Sequence, residues 1–218
     1  MKILALEFSS DQRSVAVVDD GQVRARAQET APRANRALVL IETALRASGL
    51  EREQVECLAV GLGPGSYTGI RAAIAVTQGW QLARETPTMG ISSVECLAAM
   101  AQREKILGRV NIVIDAQRNE LCLATYEIET SGWREAEPLR LASMDEVRAR
   151  VDGGETVIGP EVARWFAAGL ALFPDAAMLG QLAARRNDFV SGERLGPIYL
   201  RETAFVKAAP ARVIPSGP

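Results

Sequence analysis

The 218-residue sequence predicts an α/β fold of two lobes, and three observations carry that prediction. Apolar, β-compatible runs alternate with helix-period stretches, which implies sheets with helices laid on their faces. A hairpin-rich β-β-β-α-β-α opening recurs in reduced form from residue 106 onward. With 48% hydrophobic and 24% charged residues, the chain can bury one large core or two small ones.

Lys2 to Phe8 is an apolar strand, Ser9-Ser10-Asp11-Gln12 a polar turn, and Ser14 to Val18 a returning strand. Asp19-Asp20-Gly21 is a hairpin turn, and Val23 to Glu29 a third strand of alternating polarity. After Pro32 a helix is expected from about Asn35 to Ser48, closed by Gly49 at its C′ position. Leu38, Ile41 and Leu45 set its i, i+3, i+7 stripe, and Val39, Leu40 and Ala44 widen it. A strand over 55–60 leads through a glycine-rich turn into a helix reaching Ala83. Thr88 to Ser92 then reads as a strand and Ser93 to Gln102 as a helix.

Arg103-Glu104-Lys105 is the least apolar break between periodic segments, so the lobes are placed at residues 1–103 and 104–218. Beyond the break, Val110 to Ile114 and Leu121 to Ile128 are strands around the polar turn Asp115 to Asn119. Trp133 to Leu141 is a third strand. Ser143 and Glu146 stand at the spacing of a capping box. Glu155 to Pro160 is strand and then turn, with short helices expected near Val162–Ala171 and Ala176–Asn187 and an extended run from Gly196 to Arg201. Duplicated β-β-β-α-β-α units are the architecture of the actin-like ATPase fold, here with a reduced second lobe.

The formal charge of −2 leaves no electrostatic footprint for nucleic acid. No apolar run approaches bilayer length, and the N-terminus lacks a signal-peptide core, so no membrane role is expected. Cys57, Cys96 and Cys122 are odd in number and set among apolar neighbours, as reduced core thiols of a cytoplasmic protein would be. The chain has no histidine, which excludes Ser-His-Asp and Cys-His mechanisms and any His-ligated metal site.

The most informative segment is Gly61-Leu62-Gly63-Pro64-Gly65-Ser66-Tyr67-Thr68-Gly69-Ile70-Arg71. Its glycines permit positive φ or close backbone approach, and Ser66 or Thr68 can cap the following helix. Two readings stand: an anion site formed by Gly63, Gly65, Ser66, Thr68 and Arg71 at a helix start, or a tight strand-to-helix turn with nothing bound. The strand-end turns carry Glu7 and Asp115 but no glycine to wrap a phosphate. Each carboxylate is expected to cap local N–H groups in preference to holding a cation. In the helix after the turn, Ile70, Ala72, Ala73, Ile74, Ala75, Val76, Gly79, Trp80, Leu82 and Ala83 leave almost no polar face. Such a helix is either buried on all sides or keeps one face for a partner.

These residues resemble the TsaB (YeaZ) family. The glycine turn is similar to its G-x-G-P-G-S-[FY]-T-G-[ILV]-R signature, and Ile3 to Ser10 followed by Ser14-Val15-Ala16 resembles its opening. Gly90 to Glu95, Ile114 to Leu121 and Pro197-Ile198-Tyr199-Leu200-Arg201 match its later landmarks in order. The resemblance implies an actin-like fold and a role in forming N6-threonylcarbamoyladenosine beside the tRNA anticodon. It implies a subunit with no catalytic residue, metal or cofactor of its own, pairing with a TsaD paralogue and joined by a TsaE-like ATPase. ATP or ADP would sit at surfaces shared with these partners, and tRNA would be met only through the complex. The pairing surface, by resemblance, comprises Leu38, Ile41 and Leu45 with Ile70, Ala72, Ala73, Val76, Gly79, Trp80 and Ala83, and the isolated chain could close a homodimer through it. The sequence departs from the family at Glu7 (usually Asp), at Gln117 (usually Arg) and at Arg33 to Arg36, which lacks a His-[Ser/Thr] pair. The alternative from another class is a small-molecule kinase or nucleotide-binding protein of the same fold.

Overall fold

A computed structural model describes residues 1–30 and 36–201. The expected helix start at Asn35 lies outside the described residues. Strands β1 (Lys2–Glu7), β2 (Gln12–Asp19) and β3 (Gln22–Thr30) form an antiparallel meander. Asp20 and Gly21 both take positive φ, the turn chemistry that matches strand twist. Helix α1 (Ala37–Ser48) stops at left-handed Gly49, whose N–H donates to the Arg46 carbonyl. Strand β4 (Cys57–Gly61) lies parallel to β1, and α2 (Tyr67–Arg84) carries the chain over to β5 (Thr88–Ile91), parallel to β4. Helix α3 (Ser93–Arg103) follows.

The pattern then repeats. Strands β6 (Gly108–Asp115), β7 (Glu120–Glu129) and β8 (Gly132–Ser143) make a second meander, followed by α4 (Met144–Asp152), β9 (Thr156–Gly159), β10 (Leu170–Ala171) and α5 (Ala176–Ala183). The strand orders are β3-β2-β1-β4-β5 and β10-β9-β6-β7-β8, so β6 occupies in the second sheet the place of β1 in the first. The duplicated α/β architecture read from the sequence is the one the chain adopts.

Four apolar layers hold these elements. The first sheet buries Leu4, Leu6, Val15 and Val17 under α1 and α2, and Ile3, Ala5, Ala16 and Val18 under α3 and α5. The second sheet packs Ile112, Ile114 and Cys122 on the other side of α3, and Val113, Leu121 and Leu123 under Val147, Val162 and Phe166. Helix α3 thus lies between the sheets, turning Cys96, Ala99 and Met100 to one and Val94, Leu97, Ala98 and Ala101 to the other. Helix α5 comes from beyond residue 104 yet covers the first sheet. The Asp175 carboxylate caps its N-terminus (2.7 Å to the Ala177 N–H) and pairs with Arg26 of β3, while the Ala176 N–H donates to Ser14 Oγ at 2.9 Å.

Two local expectations need correction. Residues 162–171 are a 3-10 turn (Val162–Arg164) and the short strand β10, not a helix. Val162 and Phe166 must both lie flat on the sheet, and the Gly169 N–H closes the turn on the Phe166 carbonyl. The capping box is half formed: Ser143 Oγ accepts from the Glu146 N–H at 3.1 Å, but the Glu146 carboxylate turns instead to Arg140. A guanidinium is the stronger partner for a carboxylate than a neutral N–H.

Candidate interlobe cleft and helix surface

The glycine turn leaves β4 between the β1–β2 turn and the start of α3. The Ser66 N–H donates to the Ser9 carbonyl at 2.7 Å, the Ser93 N–H to the Gly63 carbonyl at 2.9 Å, and the Ile198 N–H to the Leu62 carbonyl at 2.8 Å. Gly65 has φ +144°, and a Cβ there would lie 2.0 Å from the Ser9 carbonyl oxygen; one on Gly69 would lie 2.0 Å from that of Phe8. These glycines therefore let two backbone segments touch. Ser66 Oγ caps α2 by accepting from the Gly69 N–H at 3.3 Å.

The five candidate anion contacts separate under this geometry. Gly63 is buried against Ile70 and lines neither interlobe cleft, so it drops out of the anion reading. Gly65, Ser66 and Thr68 border a cleft of about 350 Å³ with Asp11, Asp115, Glu161 and Arg164. Three carboxylates against one guanidinium give this cleft the wrong sign for phosphate. Burial pushes the Glu161 carboxyl above its ordinary value, and one of its oxygens has no partner. Arg71 borders a different, larger cleft of about 720 Å³, which also contacts Gly65.

The strand-end carboxylates serve the chain itself. Glu7 is fully buried, accepting from the Ser9 N–H at 2.7 Å and Ser93 Oγ at 3.0 Å. Burial raises its pKa, while its bonds to Ser9 and Ser93 pull the other way. Asp115 accepts from the Gln117 N–H at 2.7 Å and Gln117 Nε2 at 3.0 Å. No group of three or more His, Cys, Asp or Glu side chains able to hold a metal ion occurs among the described residues. Cys57, Cys96 and Cys122 are buried free thiols, all with pKa pushed up by burial.

The second candidate surface runs across α1 and α2. Helix α2 buries Gly69, Ile70, Ala73, Ile74 and Thr77 and turns its other side to solvent. Leu82 is 85% exposed and Leu38 71%, with Val39, Ala75, Gly79 and Ala83 exposed around them. Ala72, Val76 and Trp80 are half-buried at the margin. The resemblance-derived set is therefore corrected at Ile41, Leu45, Ile70 and Ala73. All four are locked in the chain's own core and cannot reach a partner without unpacking it. Missing from that set are Val39, Ala75 and Leu82. The buried ladder 70, 73, 74, 77 leaves 75, 79, 82 and 83 on the opposite side, but both rows are largely apolar and sequence alone does not rank them.

Comparison with known proteins places this geometry. A family model described as TsaD, tRNA N6-adenosine threonylcarbamoyltransferase, matches residues 29–190. The tRNA threonylcarbamoyladenosine biosynthesis protein TsaB of Escherichia coli (strain K12) is 31% identical, the match covering 97% of this chain and 100% of that protein. The Haemophilus influenzae protein of the same description is 28% identical, over 97% of this chain and 98% of its own length. The solved structure of YeaZ from Pseudomonas aeruginosa superposes with a TM-score of 0.78 at 30% identity, covering 91% of this chain and 99% of that one.

Proposed function

The chain belongs to the TsaB family of tRNA threonylcarbamoyladenosine biosynthesis proteins, and from that premise we propose that it is a non-catalytic subunit pairing with a TsaD-like paralogue. Its place is in the biosynthesis of threonylcarbamoyladenosine in tRNA. In this reading the paralogue transfers the threonylcarbamoyl group to adenosine and this chain stabilises it. A TsaE-like ATPase joins the pair, ATP or ADP binds at surfaces shared between subunits, and tRNA is met only by the assembly in the cytoplasm.

The observation that carries the pairing is the exposed apolar face of α1 and α2. Fully burying a leucine is worth about 1.5–3 kcal/mol, so covering Leu38 and Leu82, which face water, would contribute apolar binding energy. The same face could close a homodimer when the paralogue is absent. A non-catalytic role is supported by the lack of histidine and by the commitment of Glu7 and Asp115 to their own loops. A kinase reading meets an acidic cleft with no glycine in either strand-end turn.

The test is Leu82→Asp, chosen because Leu82 can change without disturbing the core. Co-expression with the paralogue followed by size-exclusion chromatography should show separate monomers for the variant and a complex for the parent. Unimpaired pairing by the variant would overturn the proposed surface.

A further inference from the structure

We propose that a pocket between α3, α5 and the β7–β8 hairpin binds a small carboxylate that carries a flat apolar body. None of its lining residues borders either interlobe cleft or belongs to α1 or α2. Its volume of about 400 Å³ lies in the range of small-molecule sites. Ala99 of α3 and Met178 and Leu182 of α5 are buried side chains that form an apolar floor. Trp133 makes a wall: it is half-buried and packs against the apolar layers on both sides of α3. A flat ring laid between floor and wall would remove apolar surface from water on both partners.

The polar groups around this floor select the rest of the ligand. Arg103 and Arg185 line the pocket, and no carboxylate is among the described residues that do so. Arg103 gives its Nε–H to Glu104 at 3.3 Å, and its two Nη groups have no partner among the described residues. The exposed Arg185 side chain makes no hydrogen bond or ion pair among them either. Both cations stand at helix C-terminal ends, where the dipole already favours positive charge, so they are in place before any ligand arrives. Two guanidiniums over an apolar floor suit one carboxylate, held by charge-assisted hydrogen bonds. Gln102 Nε2 donates to the Glu129 and Thr130 carbonyls at 3.0 and 3.2 Å, and Gln181 Nε2 to the Gly21 carbonyl at 3.2 Å. These bonds fix both amides and leave their oxygens to accept from an N–H or O–H on the ligand.

The probe is indole-3-propionate, which has a carboxylate, a flat ring and one N–H donor, titrated into the purified, 15N-labelled chain. The three tryptophans give three indole N–H signals in a proton–nitrogen spectrum, and the Trp133 signal is assigned by its loss in Trp133→Phe. At millimolar probe the Trp133 signal should move saturably, while those of Trp80 and Trp165 stay in place. Indole-3-propionamide, which lacks the charge, and propionate, which lacks the ring, should each bind at least about tenfold more weakly. Tryptamine, of opposite charge, should leave the Trp133 signal unmoved. Arg185→Gln should weaken indole-3-propionate by about tenfold, and Arg103→Gln should also weaken it. A Trp133 signal unmoved by the acid, an amide or tryptamine that binds as tightly as the acid, or an affinity unchanged in Arg185→Gln would overturn the proposal. Because Arg185 is exposed beyond the end of α5, its variant is decisive even if Arg103→Gln disturbs the fold.

Discussion

The two sheets share one strand order, yet they end their central strands differently. Strand β1 finishes at Glu7, which is buried and tied to Ser9 and Ser93. Its counterpart β6 finishes at Asp115, whose carboxylate closes an outer turn on Gln117. The covering differs too. Helices flank both faces of the first sheet, whereas among the described residues one face of the second carries α4, a 3-10 turn and a polar network of Asn111, Thr125, Glu137 and Arg150. Duplication preserved the scaffold while each copy solved its own burial problem. The first copy was left with a surplus apolar helix face and the second with a polar one.

Four measurements can break or sharpen that contrast. The largest effect is expected from Leu82→Asp on the surplus face: pairing falls by more than about a hundredfold, on the scale of hot-spot losses. Stability of the isolated variant stays within about 0.5 kcal/mol of the parent. If urea unfolding shows a larger loss, the face belongs to the fold and not to a partner.

Leu97→Ala comes next, because α3 serves both sheets at once. With its side chain fully buried, truncation should cost about 2–5 kcal/mol in chemical denaturation. A cost near zero would mean that the second sheet, which Leu97 faces, does not depend on α3 for its core. Arg150→Ala is smaller. It leaves Asn111 Oδ1 and Glu137 short of a donor (2.7 Å bonds to each in the parent), at a part-exposed site, and about 1–3 kcal/mol is expected. An unchanged denaturation midpoint would show the polar face of the second sheet to be passive.

The smallest effect is a pH slope of opposite sign in the two lobes. The Arg150 guanidinium holds Glu137 below its ordinary value of 4.5, so its share of stability is present above that value and fades as pH falls through the lowered pKa. Glu7 is raised above 4.5 by burial, so the folded state binds its proton more tightly than the unfolded state. Its contribution is fully present below 4.5 and is lost as pH rises through the raised pKa. Glu7→Gln should therefore flatten the neutral-side slope of midpoint against pH and leave the acid-side loss in place. A parent and variant with parallel profiles above 4.5 would remove Glu7 from this account.

Much of the scaffold was legible in the chain. Local rules suffice for the Asp20–Gly21 hairpin, the Gly49 stop and the Ser66 cap, since each acts within a few residues. The clefts and surfaces were less legible. Leu38 and Ile41 belong to one apolar stripe by spacing, yet Leu38 is exposed and Ile41 is core. Helix α2 looked apolar on all sides, but the helices enclosed most fully are α3 and α5, with eight of eleven and seven of eight residues buried against five of eighteen in α2. The stacked rings of Tyr67 and Tyr199 are 132 residues apart, and no periodicity joins them.

By itself the sequence determined the α/β class, the repeated succession of strands and helices, the family and the lack of any histidine-based chemistry. These rest on local propensity, turn chemistry and residue identity, all of which are short-range or compositional. Only the tertiary structure decided which apolar faces are core and which are open, that α5 returns to the first sheet, and that the glycine turn packs on Phe8 and Ser9. Those outcomes depend on which surfaces compete for the same buried space, and that competition is settled between segments far apart in the chain.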